Sequence, residues 1–324
     1  MATETIVLPR TENRRRAAGG AGDAVFRALT FLFAVLVLLI LCGVIVSLVD
    51  GALPALRQFG FGFLVGTAWN PVTEKFGALA PIYGTLVTSF IAMLIGIPVA
   101  FGVALFITEL CPKWLRRPLG TMIELLAAIP SIIYGIWGLF VLAPFVQAYV
   151  EPAIIGSLGN IPGLGMLFAG PPLGIGVLTA GFILAIMVLP FIASVMRDVF
   201  ETVPPMLKES AYGLGATTTE VAWRVVLPFT RVGVFGGILL GLGRALGETM
   251  AVTFVIGNSN HIQASILQPG TTISASLANE FTEAVGDLYQ SSLIALGFIL
   301  FLITFVVLAL AKLMLIRLQK AAGA

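Results

Sequence analysis

Long apolar runs separated by short polar segments dominate this chain. A helix that crosses the hydrocarbon core of a bilayer needs about 20 mostly apolar residues. Six runs meet that length, and together they predict an all-α, polytopic membrane protein with six transmembrane helices. They cover residues 24–48, 83–109, 119–150, 174–196, 232–258 and 292–318. Bends are predicted where proline removes a backbone hydrogen bond within a run, at Pro98, Pro130, Pro144 and Pro190.

The composition excludes a soluble globule. Hydrophobic residues make up 58% of the chain and charged residues 10%, with a mean hydropathy of +1.04, whereas soluble domains carry about 25% charged residues. The net charge of +2 is too small to suggest nucleic-acid binding. Cys42 and Cys111 read as small packing residues rather than a disulfide. The single histidine, His261, reads as a loop residue, and no metal site is predicted.

The distribution of basic residues predicts the topology. Arg14, Arg15, Arg16 and Arg27 precede or begin the first run and favour a cytoplasmic N-terminus. That run is longer than the 7–15 residues of a signal-peptide core, so residues 24–49 are predicted to be a retained transmembrane helix. Residues 1–23 contain few large apolar side chains and are predicted to be a disordered cytoplasmic tail.

Alternation of the runs assigns the loops to the two sides of the membrane. It places residues 50–82, 151–173 and 259–291 outside, and residues 110–118, 197–231 and 319–324 inside. The predicted outer loops contain only Arg57 and Lys75 as basic residues. The predicted inner segments, with the end of the last run, contain Lys113, Arg116, Arg117, Arg197, Lys208, Arg224, Arg231, Arg317 and Lys320. This asymmetry follows the positive-inside rule and supports the assignment.

The inner segment 197–231 begins with a predicted short helix. Pro204 and Pro205 end the helix that leaves the fourth run. Residues 206–214 can form a short helix, and Gly215 permits the left-handed conformation that commonly ends one.

A second short helix is predicted after this glycine. Thr217 or Thr218 can cap it, while Leu227 and Pro228 should end it. Two short helices joined at a glycine would form a compact knob on the inner face. The bare pattern also fits an ordinary loop lying on the membrane surface.

Among the charged residues within the apolar runs, three are candidates for function: Glu124 near the start of the third run, and Arg244 and Glu248 near the middle of the fifth. Such a charge costs about 2.5–3.5 kcal/mol at the centre of a membrane helix. Arg244 and Glu248 are four residues apart, so one helix face would carry both and they could pair. One interpretation is a structural ion-pair network closed by Glu124. The other is a translocation path, since a guanidinium offers fixed donors to an oxyanion such as phosphate. Intramembrane charges favour the second.

The string between residues 209 and 228 resembles a known motif. It reads Glu-Ser-Ala, three residues, Gly, nine residues, Val, one residue, Leu-Pro. This is similar to the E-A-A-x3-G-x9-I-x-L-P loop in permease subunits of ATP-binding-cassette importers. In that family the loop forms cytoplasmic helices that dock onto an ATPase subunit. The resemblance implies a coupling role for five residues here, Glu209, Ala211, Gly215, Leu227 and Pro228.

Four further strings resemble one permease subunit of phosphate importers. They cover residues 81–90, 124–135, 241–258 and 276–281, and the similarity extends over nearly the whole chain after the N-terminal tail. It implies a type I, MetI-like permease fold with a five-helix core over residues 83–318. It also implies that Arg244 and Glu248 are important for transport, with Glu124 the third candidate for the path.

The resemblance also implies partners. They are a second, PstA-like permease subunit, two copies of a PstB-like ATPase and an external PstS-like phosphate-binding protein, in a prokaryotic inner membrane. ATP and magnesium would bind the ATPase, and no cofactor is expected on this chain. The sequence contains no Gly-x4-Gly-Lys-Ser/Thr string, which predicts a transport subunit rather than an enzyme. Two alternatives stay open: a permease for another oxyanion such as sulfate or molybdate, and an ion-coupled secondary transporter.

Overall fold

A computed structural model describes residues 20–159, 161–163 and 165–321. Most of the predicted disordered tail therefore lies outside the described residues. The chain divides into two compact units, Met1–Asp50 and Gly51–Ala324. The described part of the first unit is helical and belongs to the helix Gly20–Phe59. The second unit contains all the candidate site residues.

Within the described part of the chain, six helices are long and apolar enough to cross a membrane, as the apolar runs predict. We call them spans one to six. They are Gly22–Phe59, Leu79–Leu110, Ser131–Leu158, Val177–Glu201, Thr218–Leu246 and Asp287–Arg317. Spans two, three and five contain π-helical turns, at Phe106–Leu110, at Gly138–Leu142 and Val146–Val150, and at Ala222–Val226.

Shorter helices connect the spans. They are Gly62–Val65, Lys113–Ala127, Pro205–Gly213, Met250–Thr253 and Ile273–Glu280, with a 3-10 turn at Gly165–Phe168. Extended pairing in the described part of the chain is limited to one bridge between Asn70 and Lys75. The predicted all-α class is confirmed.

Span four is the most buried of the six and forms the centre of the second unit. Small residues let its neighbours approach closely. A Cβ atom at Gly181 would lie 2.5 Å from Cγ2 of Ile91 in span two, and one at Gly241 in span five would lie 2.5 Å from Cδ1 of Ile192. Spans two and five therefore both pack closely against span four, with glycine backbone facing side chains.

The predicted third run, 119–150, is not one continuous helix. The helix Lys113–Ala127 ends before Pro130, and span three begins at Ser131. Pro130 has an extended backbone, with ψ of 135°, and cannot donate a backbone hydrogen bond. The hydroxyl of Tyr134 donates to the carbonyl oxygen of Leu126 at 2.9 Å and so links span three to the helix Lys113–Ala127 across the break. The expected bend at this proline is thus a complete interruption.

The predicted end of the second coupling helix at Leu227 and Pro228 is wrong. The helix continues through both residues into span five. A proline ring normally collides with the carbonyl four residues earlier. Here the π-helical turn Ala222–Val226 precedes it, and the Leu227 N–H donates to Ala222, five residues back. The wider turn accommodates the proline, so residues 218–246 form one continuous rod.

Candidate functional site

Arg244 lies beside the middle of span four. Its guanidinium carbon is 5.9 Å from the ring centroid of Phe191. Phe191 stands 14 residues after the start and 10 residues before the end of the helix Val177–Glu201. At about 1.5 Å per residue, it is roughly 15–20 Å from either end. The cation therefore lies near the middle of span four, within cation–π distance of an aromatic ring, but it is in the last turn of span five and not near its middle as the apolar run predicts.

Span five stops at this depth. Its helix ends at Leu246, and a four-residue helix begins again at Met250. The interruption leaves carbonyl groups at a helix C-terminus without their intrahelical partners. Arg244 lies in this last turn, where a positive charge complements the negative end of the helix dipole. Interrupted helices at membrane depth occur where the backbone lines an aqueous cavity or is covered by protein.

The predicted pairing of Arg244 with Glu248 is wrong. Because the helix ends between them, residues four apart in sequence no longer share one helix face. The described residues form three ion pairs, and none includes Arg244 or Glu248. Instead, Oε1 of Glu248 accepts a hydrogen bond from the backbone N–H of Ala251 at 3.2 Å. The carboxylate thereby holds the start of the helix Met250–Thr253.

The interruption at Pro130 meets the interruption in span five. A Cβ atom at Gly135 would lie 3.0 Å from the carbonyl oxygen of Met250 and 3.1 Å from Cα of Ala251. Only a glycine permits this backbone approach without displacement. The helices interrupted at Pro130 and after Leu246 thus contact each other at Gly135, an arrangement that the sequence alone did not indicate.

Glu124 does not join this group through an ion pair. Its Oε1 lies 2.7 Å from Nη2 of Arg197, which also contacts Asp198 at 2.8 Å. Arg197 is near the end of span four, and a side chain at Gly120 would collide with it. The network in which Glu124 closes an Arg244–Glu248 pair is therefore wrong, because its helix packs against the end of span four instead.

The chemistry available at Arg244 follows from its exposure. The side chain is exposed on the surface of this chain. A guanidinium carries five N–H donors and stays charged at all physiological pH values. It can therefore bind an oxyanion through two parallel hydrogen bonds. Among the described residues, no group of three His, Cys, Asp or Glu side chains is arranged to hold a metal ion.

The segment 197–231 forms the predicted helix–glycine–helix structure. The first helix is Pro205–Gly213, and Gly215 adopts a φ of +86°. Thr217 caps the next helix through a capping box with Glu220, in which each side chain bonds the other residue's backbone N–H. These three predictions are confirmed.

The predicted coupling residues divide into exposed and inward-facing groups. Glu209, Gly215 and Pro228 are exposed, whereas Ala211 and Leu227 pack against the core. The same segment is anchored by a contact that sequence reasoning missed. Nζ of Lys208 lies 2.5 Å from Oε1 of Glu109, at the end of span two.

Little in the sequence indicates the contact between Lys208 and Glu109. Glu109 is the single carboxylate at the end of its run, and Lys208 follows 99 positions later. An aromatic contact adds to the anchor, since the rings of Trp223 and Phe101 lie 5.7 Å apart. The exposed loop surface is therefore fixed to spans two and five.

Comparisons with known proteins identify relatives over most of the chain. Residues 96–320 match the family described as binding-protein-dependent transport system inner membrane component. The phosphate transport system permease protein PstC of Mesorhizobium japonicum is 65% identical over 302 residues, covering 93% of this chain and 92% of the relative. That of Pasteurella multocida is 57% identical, covering 93% and 94%. The probable PstC of Methanocaldococcus jannaschii is 38% identical, covering 79% and 82%.

Solved structures share the fold. A chain of a bacterial alginate ABC transporter, in complex with a pentasaccharide-bound periplasmic protein, superposes with a TM-score of 0.59 at 19% identity. The match covers 92% of this chain and 98% of that chain. A chain of the inward-facing MetNI methionine ABC transporter gives 0.53 at 16% identity, covering 74% and 94%. At these identities the similarity establishes the fold alone, which is that of MetI-like importer permeases.

Proposed function

The chain belongs to the family of binding-protein-dependent transport system inner membrane components, and from this premise we propose that it carries inorganic phosphate through the membrane as one permease subunit of an ATP-driven importer. It is a multi-pass membrane protein with six candidate spans. The phosphate assignment is supported by the names of relatives that are 54–65% identical over 93% of the chain. We propose that both termini are cytoplasmic.

The observation that carries the proposal is the exposed Arg244 at mid-depth, beside an interrupted helix. Facing lipid, this cation would cost about 2.5–3.5 kcal/mol on the insertion scale, and the interrupted backbone would add unsatisfied carbonyl groups. If Arg244 and the interrupted backbone face a water-filled cavity, water solvates both the charge and the carbonyl groups, and neither cost arises. We therefore place the translocation path along this face, between this chain and a second, PstA-like permease subunit.

In this path Arg244 attracts the phosphate oxygens through its guanidinium N–H groups. Its cation–π contact with Phe191 uses none of those donors. Glu248 positions the helix Met250–Thr253 through Ala251 and places a negative charge near the path. That charge weakens anion binding, which favours release. Glu124 belongs to the inner end of the path, where Arg197 holds it.

We propose that the exposed surface of residues 205–228 docks onto a PstB-like ATPase, two copies of which bind ATP and magnesium. An external PstS-like protein delivers phosphate. Closure of the ATPase dimer moves the docking surface. Because the loop is bonded to span two through Lys208–Glu109 and is continuous with span five, the spans move with it. Hydrolysis then returns the spans, and phosphate leaves inward.

Uptake of radiolabelled phosphate tests this function. Vesicles would contain the chain with its proposed partners, with ATP inside or absent. We expect uptake that requires ATP, resists ionophores and is not competed by sulfate or molybdate. ATP-dependent uptake of sulfate or molybdate instead would overturn the substrate. Uptake driven by an ion gradient without ATP would overturn the mechanism.

A further inference from the structure

A polar cavity lined by residues distant in sequence from Arg244 lies between the helix Lys113–Ala127 and the end of span four. Its volume is about 480 Å³. Four basic side chains line it, Lys113, Arg116, Arg117 and Arg197, together with Thr121, Glu124 and Glu201. The lining is therefore richer in cations than in carboxylates, and it is concave rather than a flat basic surface.

The helix Lys113–Ala127 presents these groups on one face. Lys113, Arg116, Arg117, Thr121 and Glu124 follow the 3.6-residue helical repeat. Arg197 already has carboxylate partners in Glu124 and Asp198. Within the described part of the chain, no ion pair includes Lys113, Arg116 or Arg117. Three cations thus converge on the cavity without a carboxylate of their own.

One of these cations has a fixed orientation. Nε of Arg116 donates to the carbonyl oxygen of Cys111 at 2.9 Å. This leaves the terminal guanidinium nitrogens available to a second acceptor. Lys113 and Arg117 are exposed and need no structural rearrangement to reach an anion in the cavity.

The opposite face of the same helix is apolar and exposed. Trp114 is 76% exposed, and Met122, Leu125 and Leu126 are exposed as well. Tryptophan next to lysine and arginine is typical of the level of lipid headgroups. An amphipathic helix of this kind places its basic face beside phosphates and its apolar face against acyl chains.

We propose that this cavity, which shares Glu124 with the inner end of the proposed path, binds a phosphate group at the inner surface of the membrane through Lys113, Arg116 and Arg117, separately from Arg244. The phosphate comes either from the headgroup of an anionic phospholipid or from inorganic phosphate in the cytoplasm. Both sources offer oxyanions to the same three cations. The cytoplasmic placement rests on the proposed function, whereas phosphate binding by Lys113, Arg116 and Arg117 does not.

Lipid binding is measured first. The assembled transporter is placed in bilayer discs of phosphatidylcholine mixed with phosphatidylglycerol, and bound phosphatidylglycerol is counted by native mass spectrometry. The test variant is Lys113→Gln/Arg117→Gln. We expect it to lower affinity for the anionic lipid about 30-fold, or about 2 kcal/mol, since each basic residue near an anionic surface contributes about 1 kcal/mol. Arg117→Gln alone should lower it about fivefold.

The matched control is Lys312→Gln/Arg317→Gln. It removes the same charge from two exposed residues of span six, outside the cavity, and should lower lipid binding by clearly less than the test variant, because it leaves the three converging cations in place. Lys113→Arg/Arg117→Lys preserves charge and should retain binding. Equal losses in the test and control variants would show a general charge effect and would overturn the site.

Binding of inorganic phosphate, the second possible ligand, is measured by equilibrium dialysis of labelled phosphate against the delipidated transporter. Arg244→Gln is included to remove binding in the path. Residual phosphate binding that disappears with Lys113→Gln/Arg117→Gln would identify the free anion as the ligand. If those substitutions change neither lipid binding nor phosphate binding, the proposal is wrong. Neither measurement uses ATP or transport, so its outcome is independent of the uptake experiment.

Discussion

Removing either partner of the ion pair between Lys208 and Glu109 should destabilise the protein, but by different amounts for the two residues. The Lys208 side chain is 19% exposed, whereas that of Glu109 is only 6% exposed. The lysine has a long stem that can carry its ammonium group to water. The Glu109 carboxylate lies at the end of span two, and its shorter side chain cannot carry the charge to water in the same way.

These exposures set the expected magnitudes. Lys208→Met leaves a buried carboxylate without its partner and should cost about 3 kcal/mol, the lower end of the range for a broken buried pair. Glu109→Gln leaves a lysine that can reach solvent and should cost about 1 kcal/mol or less. In the double variant no unpaired charge remains. Glu109→Gln should therefore restore about 2 kcal/mol when added to Lys208→Met.

Thermal unfolding of the purified chain in detergent, followed by tryptophan fluorescence and size-exclusion chromatography, measures the order of stability. We expect Lys208→Met to have the lowest midpoint and the double variant to recover most of the loss. Arg224→Gln, which removes an exposed cation from the same segment, is the control and should change stability by less than about 0.5 kcal/mol. Additive losses in the double variant, or equal losses in the two single variants, would refute the burial argument.

Three further predictions concern the path and the coupling segment. Arg244→Gln should lower phosphate uptake at least about 100-fold, since two charge-assisted hydrogen bonds of about 1.5–3 kcal/mol each are lost. Pull-down of the partners should show that the complex still assembles. Normal uptake would show that Arg244 is not on the path. Gly215→Leu places a residue with a side chain at a backbone φ of +86° and should reduce uptake-coupled ATP hydrolysis. Gly213→Leu, in a helix with open space around it, should not. Equal coupling in the two variants would exclude a conformational role for Gly215. Thr217→Ala removes the capping box and should lower stability by about 1 kcal/mol in chemical denaturation, and an unchanged midpoint would show that packing alone holds this turn.

Local rules predicted a large part of the fold. The six spans follow from the lengths of the apolar runs, because a helix in lipid must satisfy its own backbone over about 20 residues. The turn at Gly215 and the cap at Thr217 follow from hydrogen bonds and backbone preferences within three or four residues. The family resemblance of the coupling segment is also contained in one continuous string.

The same local rules failed where packing supplies an alternative. Pro228 should end a helix, but the π-helical turn before it provides the space that a proline ring needs. Arg244 and Glu248 should pair across one helical turn, but the helix ends at Leu246 and Glu248 bonds Ala251 instead. In both cases the residues are those on which the prediction was based, but the backbone conformation at their positions differs from the one that local rules predict.

The partners of the charged residues were decided by the tertiary structure alone. Glu124 contacts Arg197 across 73 positions of sequence, and Glu109 contacts Lys208 across 99. No spacing rule links such positions, because their approach depends on how span four packs against its neighbours. By itself the sequence determined that charges lie within the apolar runs and that such charges require partners or water. The packing of interrupted helices decided which charges are paired and left Arg244 exposed beside the break, because only assembled spans bring distant side chains within hydrogen-bonding distance.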